Sequence, residues 1–310
     1  MPIQINKTVI FLMGPTTSGK TDLAIQLSQQ FKTRLISVDS ALIYKGMDIG
    51  TAKPDKATLK KYPHHLIDIC NPEDSYSVFD FTLDANRQIK TAFANNELPI
   101  LVGGTSFYFH ALEYGLSKLP ESNPKFKEKF NQLLKSKGTI ALHQDLKKID
   151  PQAANRIHPN DAQRITRALE VFDISGKTLS ELQGNKKPII NHSIKKIILM
   201  PERDELHTRI EQRFLSMIKH GFLDEVKHLK QNPNFHENLS VIRCVGYRQA
   251  WQYLNGEIGK TAMIEKAIIA TRQLCKRQST WLNGEENALF LKKSDLAKAT
   301  TFINPQDKSK

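Results

Sequence analysis

Cysteine is scarce in this chain of 310 residues: Cys70, Cys244 and Cys275 are the only three. An odd number without metal-ligand spacing excludes a disulfide framework and fits a reducing cytoplasm. Long apolar runs are missing too. The longest, Val9 to Met13, has the length of a strand and falls far short of the roughly 20 residues of a membrane span. The opening Met-Pro-Ile-Gln-Ile-Asn-Lys lacks the apolar stretch of a secretion signal, so no membrane association is expected. There are no internal repeats and no low-complexity tract beyond a short polar tail. Acidic residues are in deficit, 32 against 45 Lys plus Arg, leaving a net charge of +13. That excess suits a polyanionic partner through counterion release, or a lysine-rich solvated surface.

What is present starts at Gly14. From there to Thr21 the chain reads Gly-Pro-Thr-Thr-Ser-Gly-Lys-Thr, a full match to the phosphate-loop pattern G-x-x-x-x-G-K-[ST]. The context is right as well: an apolar strand-like run, Thr8 to Met13, comes before it, and Leu23, Ala24, Leu27 and Phe31 after it have helical spacing. Backbone N–H groups and a positive helix end would face anionic oxygens. Lys20 adds a mobile charge, and the Thr21 hydroxyl is placed for a magnesium ion. The loop leaves open whether its diphosphate belongs to a nucleotide.

Strand-like runs recur at Arg34–Val38, Ile100–Val102 and Lys196–Met200 with helical patterns between them, which implies a parallel sheet covered by helices. Ser77 and Asp80 form a capping pair ahead of the stripe Phe81, Ala85, Ile89, Phe93. Ligands belong beyond the carboxyl ends of such strands. Asp39 and Ser40, after Val38, and Gly103, Gly104 and Thr105, after Val102, therefore share the rim with the phosphate loop. The pattern changes near Leu119. Pro120 and Pro124 bracket a polar turn, followed by a Lys-rich helical stretch and a second helix from about Asp161, capped by Asn160, with the stripe Ile165, Ala168, Leu169, Phe172. The expected fold is α/β: a P-loop-type parallel sheet flanked by helices (residues 1–120), an all-helical insertion domain (121–188), and the rest of the core, mostly helical (189–310).

Asp39 reads as a helix N-cap, a carboxylate holding magnesium, or a general base beside the phosphate loop. Thr105 reads as a helix cap or a site residue, and Gly103 and Gly104 allow close backbone approach. His64 and His65 lack a third ligand at metal spacing and read as a structural loop. Gln163, Arg164 and Arg167 form a solvated helix face or an RNA contact. Arg243-Cys-Val-Gly-Tyr-Arg248 and Lys276-Arg-Gln-Ser-Thr-Trp281 mix cations with aromatics, as a surface for unpaired RNA does.

Together these stretches resemble the tRNA dimethylallyltransferases, also called tRNA isopentenyltransferases. GPTTSGKT, VDSALIYKGMDIGTAKP, PHHLID, LVGGTSFYF, RIHPNDAQRITRALEVFDISGKT, IRCVGYRQAW and ATRQLCKRQSTWL run in the family's order from Gly14 to Leu282, about seven-eighths of the chain. The resemblance implies transfer of a dimethylallyl group from dimethylallyl diphosphate to N6 of the adenosine on the 3′ side of the anticodon, with the tRNA anticodon stem-loop as partner. Apart from the resemblance, the chain is expected to be cytoplasmic, from its cysteine content, and a monomer. It implies that Gly14, Thr16, Thr17, Ser18, Gly19, Lys20 and Thr21 hold the diphosphate, aided by Arg213, with Mg²⁺ on Thr21 and Thr105. Asp39 would take the N6 proton, with Thr105 and Lys20 as the other catalytic groups. The tRNA would meet Asp39, Ser40, Ala41, Leu42, Thr105, Lys127, Gln163, Arg164, Arg167, Arg243, Gly246, Tyr247, Arg248, Lys276 and Arg277. The rivals are a P-loop kinase of a small molecule or nucleoside, since such loops commonly bind ATP, an RNA-stimulated NTPase switch, and a prenyltransferase of free adenine nucleotides.

Overall fold

Apolar and β-branched residues make Thr8–Met13 strand β1, buried from Val9 onward as the middle of a parallel sheet must be. The computed structural model describes residues 7–122, 124–184, 186–237 and 239–305, apart from the side chains of Pro124 and Lys127. After β1 come α1 (Lys20–Gln30), β2 (Thr33–Val38), α2 (Lys56–Lys61), β3 (His64–His65), α3 (Val78–Ala94), β4 (Leu98–Gly103) and α4 (Ser106–Tyr114). Four helices follow: α5 (Pro124–Ile149), α6 (Pro151–Arg156), α7 (Ala162–Ser175) and α8 (Leu179–Leu182). The chain then runs through β5 (Ser193–Leu199), α9 (Arg203–Lys219), α10 (Phe222–Lys230), α11 (Tyr247–Leu254), α12 (Lys260–Leu282), β6 (Ala288–Leu291) and α13 (Leu296–Ile303).

The sheet order is β3-β2-β4-β1-β5-β6, and every pair is parallel. Both Met13 of β1 and Val38 of β2 pair with Gly103 of β4, so these three strands end level and their following loops emerge on one rim. Leu23, Ala24 and Leu27 of α1, with residues of α13, cover the face formed by Ile10, Leu12, Ile100 and Val102. On the other face Phe11 meets Phe109 of α4, ring centroids 4.9 Å apart. Helices α9 to α12 build a separate apolar core with Ile43, Tyr44 and Met47. That core anchors the segment after Asp39 to the C-terminal third.

Two compact units result: Met1–Leu112 with Ile190–Lys310, and Glu113–Ile189. The stretch 113–120, read above as core, falls in the helical unit. Within that unit α5 turns at Gly138, whose φ of 77° ends one helical run and begins another. Leu142 and Leu146 beyond the turn join Ile165, Ala168, Leu169 and Val171 of α7 in its core. The N-cap of α7 is Asp161, which accepts from the Arg164 amide at 3.1 Å. Asn160 instead sits in the turn closed by the Asp161 amide on the His158 carbonyl, which moves the helix start one residue on. The expected capping box at Ser77 and Asp80 is present.

Two strands escaped the sequence reading. His64–His65, taken as a loop, pairs with Leu35 and Ile36. Ala288–Leu291 adds the far edge beside β5. Both are too short to show a period, and β3 consists of two polar residues. No helix among the described residues is long and apolar enough to cross a membrane.

Candidate active site

The phosphate loop is shaped by backbone that turns left-handed twice, at Thr17 (φ 64°) and Gly19 (φ 90°). Glycine suits the second position, the N-cap of α1, and no side chain caps that helix end. The first amides of α1 thus face outward beside the positive end of its dipole, as an anion site requires. The Lys20 ammonium folds back onto the Pro15 carbonyl at 3.2 Å. Burial pulls its pKa down to about 8, helped by the positive charge of Arg213 and opposed by the carboxylate of Asp39. Arg213, on α9, is likewise lowered by burial and supported by Asp39. Its Nη2 donates to Thr16 Oγ1 at 2.5 Å.

Two further side chains grip the loop from the C-terminal third. Arg209 Nη1 donates to the Thr17 carbonyl at 3.2 Å, and Gln278 Oε1 accepts from the Thr16 amide at 2.9 Å. Sequence reading missed both: Arg209 sits in an ordinary helical stretch, and Gln278 stood unremarked inside a basic cluster.

At the end of β2, Asp39 Oδ1 accepts from the amides of Ala41 (2.8 Å) and Leu42 (3.3 Å). The carboxylate caps a tight turn, which replaces the helix-cap reading. Thr105 does not cap α4 with its hydroxyl; Oγ1 accepts from the Ser40 amide at 3.2 Å, while its own amide bonds the Val38 carbonyl. Gly103 is essential to this approach, because a Cβ there would lie 2.0 Å from the Val38 oxygen. Asp39 and Thr105 are thereby held on adjacent strand ends.

One cleft of about 730 Å³ gathers these groups: Thr16, Lys20, Thr21, Asp39, Ser40, Ala41, Leu42, Thr105, Arg213, Arg243 and Arg277 all line it. Phe107 and Trp281, 51% and 42% exposed, offer aromatic surface in its wall. Its size is that of a small-ligand site. Lys276 lies in a shallower cleft that shares Arg277 and Trp281.

The family described as IPP transferase matches residues 42–285, and one described as isopentenyl transferase matches residues 7–72. The chain is 85% identical over 304 residues to a tRNA dimethylallyltransferase of Ruthia magnifica subsp. Calyptogena magnifica, covering 98% of this chain and 100% of that one. This chain belongs to the tRNA isopentenyltransferase family. A second tRNA dimethylallyltransferase, of Vesicomyosocius okutanii subsp. Calyptogena okutanii, is 82% identical with the same coverage. Among solved structures, the full-length tRNA isopentenylpyrophosphate transferase of Bacillus halodurans superposes with a TM-score of 0.69 at 32% identity, covering 98% of each chain. A eukaryotic dimethylallyltransferase acting on tRNA gives 0.74 at 26%, covering 96% of this chain and 77% of that one. The P-loop-type α/β fold is therefore that of the isopentenyltransferases.

Several family stretches turn out to be tied together by one side chain. Glu225 of α10 accepts from the amides of Asp48, Ile49 and Gly50 and from the Tyr247 hydroxyl at 2.6 Å. Tyr247 is 0% exposed, so its expected place against a base is corrected: it is a core residue bracing the loop 48–50. Lys53 does similar work, bonding the Tyr44 carbonyl, Asp48 and Asp68. Gly246 is buried as the N-cap of α11, whereas Arg243 and Arg248 are exposed.

In the helical unit Gln163 and Arg164 are exposed, Arg164 paired with Asp161 at 3.5 Å. Arg167 is committed within that unit, donating to Glu170 Oε2 and the Pro120 carbonyl, both at 2.7 Å. The physical reason for revising its reading is that both guanidinium arms already have partners. The side chain of Lys127 lies outside the described residues.

Magnesium was expected on Thr21 and Thr105. Among the described residues no three His, Cys, Asp or Glu are grouped to hold a metal. Mg²⁺ commonly takes one or two protein oxygens and completes its shell with water and phosphate, and the Thr21, Thr105 and Asp39 oxygens lining one cleft fit that habit. The same cleft is lined by Ser37 and His64, whose Oγ and Nε2 are buried without a protein partner among the described residues, as a site for water or a hydrated ion would have them.

Proposed function

We propose that this protein transfers the dimethylallyl group of dimethylallyl diphosphate to N6 of the adenosine on the 3′ side of the anticodon in tRNA. The observation that carries this reading is the joint opening of the phosphate loop and the Asp39 carboxylate into one cleft. A diphosphate needs the first, and an acceptor that must shed a proton needs the second. Membership of the isopentenyltransferase family supplies the reaction class, tRNA prenylation.

In this mechanism the amides of Gly19, Lys20 and Thr21 at the uncapped start of α1 hold the diphosphate of the donor, and Lys20 and Arg213 balance its charge as the C1–O bond breaks. Mg²⁺, held by Thr21 and Thr105, would supply further neutralisation of the leaving group. The N6 lone pair forms the new bond to C1, and the bonding pair of C1–O leaves with the diphosphate. N6 becomes acidic only as the new bond forms, and the Asp39 carboxylate then takes its proton. Asp39 Oδ1 is held by the amides of Ala41 and Leu42, which fixes the direction from which the base acts.

The target base must leave its stack to enter a cleft of this kind. The exposed Arg243, Arg248, Lys276 and Arg277, with Gln163 and Arg164 of the helical unit, supply phosphate contacts, and the half-exposed Trp281 offers a stacking face. We take the enzyme to be a cytoplasmic monomer, in keeping with its three free cysteines.

The test mixes the protein, Mg²⁺, labelled dimethylallyl diphosphate and an anticodon stem-loop, with ATP phosphate release followed in parallel because phosphate loops commonly take ATP. Label should pass to the RNA and stop doing so when the target adenosine is replaced. ATP turnover without label transfer would assign the loop to a nucleotide and overturn the reading.

A further inference from the structure

The ladder between β1 and β4 ends at Met13 and Gly103, yet the two loops that leave these strands carry the two halves of the proposed chemistry. The loop after β1 is the phosphate loop. The loop after β4 carries Thr105, whose hydroxyl is bonded to the Ser40 amide next to Asp39. Backbone alone no longer fixes their separation.

The Gln278 side chain spans that gap. Its Oε1 accepts from the Thr16 amide at 2.9 Å, and its Nε2 donates to the Gly104 carbonyl at 2.8 Å. One partner is a donor and the other an acceptor, so only one orientation of the amide satisfies both. The carboxamide thus acts as a peptide group would, extending the ladder past the ends of the strands. The fit is close: a Cβ on Gly104 would come within 2.5 Å of Gln278 Nε2. Thr16 is held from a second side by Arg213 on its hydroxyl, so the loop residue is fixed at both its backbone and its side chain. Gln278 also lines the cleft beside Arg277 and Trp281.

We propose that Gln278 is a positioning residue that sets the distance between the bound diphosphate and the Thr105–Asp39 side of the site, and hence between leaving group and acceptor nitrogen. This rests on the transferase reading above. Reaction geometry is sensitive to small displacements: a shift of about 1 Å costs on the order of 100-fold in rate. The effect belongs in the bond-making step, because the diphosphate keeps its loop amides, Lys20 and Arg213 when Gln278 is changed.

The experiment measures single-turnover label transfer at saturating donor, and the donor KM, for wild type, Gln278→Met and Gln278→Glu. Gln278→Met keeps length and flexibility but loses both hydrogen bonds; its rate should fall about 10- to 100-fold with donor KM little changed. Gln278→Glu keeps the shape and the acceptor for the Thr16 amide. Ionised, it cannot donate to the Gly104 carbonyl; protonated, it can. Its rate relative to wild type should therefore recover as pH falls, a response that a purely structural role would not give. Wild-type rates for Gln278→Met, or a pH-independent ratio for Gln278→Glu, would overturn the proposal. If Gln278→Met does not fold, the pH series of Gln278→Glu decides. Failure of the wild type to transfer label would instead count against the transferase reading itself.

Discussion

Both hydrogen bonds to Asp39 fall on Oδ1, and among the described residues none falls on Oδ2. A single carboxylate can therefore hold the turn with one oxygen and receive a proton with the other. Asp39→Asn keeps an acceptor for the Ala41 and Leu42 amides and removes only the base. Transfer should fall by about 10²- to 10⁴-fold, while affinity for the stem-loop, read by fluorescence anisotropy, stays at the wild-type value; a parallel loss of RNA binding would remove the general-base role. Lys20 gives a second prediction, with two opposite signs. Burial holds its ammonium at about 8 against an ordinary 10.5. Between those values the unfolded chain binds the extra proton, so this group's contribution to stability rises with pH. Diphosphate binding needs the charged form and weakens as pH rises through about 8. The affinity of wild type for inorganic diphosphate, divided by that of Lys20→Met to cancel the ligand's own ionisation, should drop about tenfold from about pH 7 to pH 9.5. Calorimetry at several pH values checks it, and a flat ratio would show that the Lys20 charge is not used.

Elements were legible in the sequence where a cap or a period marks them. β1, α1 and the Ser77 box of α3 lie where strand and cap rules put them, because each is defined by neighbours in sequence. β3 and β6 were not legible, being edge strands made by pairing rather than by pattern. The residues of the phosphate loop, Asp39 and Thr105 could be grouped because each directly follows a strand-like run, and parallel strands deliver their following loops to one rim. Glu225 could not, as its amide partner Asp48 lies 177 positions away and a lone glutamate on a helix carries no signal. Yet Glu225 decides whether α10, α11 and the loop 48–50 act as one body. Glu225→Ala strands three amides and a hydroxyl, and should lower stability by about 2–4 kcal/mol, whereas Tyr247→Phe loses one bond and about 1 kcal/mol. Urea unfolding of both and of the double variant checks this. The two effects should fall short of adding, because Glu225→Ala already removes the partner of Tyr247.

On the scale of the whole molecule, the net charge of +13 pointed to a polyanion, but charge alone could not say which cations reach it. Tyr247 and Arg167 looked like RNA contacts in the sequence and have internal partners in the fold, because a basic or aromatic letter does not record what it bonds. The division into two units was announced by the Pro120 and Pro124 turn, yet the point where the core closes is visible only in three dimensions. The Ile190 amide donates to the Leu112 carbonyl at 3.1 Å, so the points where the chain leaves the core, in α4, and re-enters it, ahead of β5, already meet. The phosphate loop, Asp39, Thr105 and every residue lining their cleft belong to Met1–Leu112 and Ile190–Lys310. Joining Leu112 to Ile190 through a short glycine–serine link should therefore leave a core that melts cooperatively and binds inorganic diphosphate as the intact protein does. Stem-loop affinity should weaken, and its dependence on salt should become shallower by about 0.7–0.9 in logarithmic slope for each phosphate that the helical unit had neutralised. An excised core with the RNA affinity and salt slope of the intact chain would show that the helical unit does not touch the RNA, leaving Arg243, Arg248, Lys276 and Arg277 to carry the recognition alone.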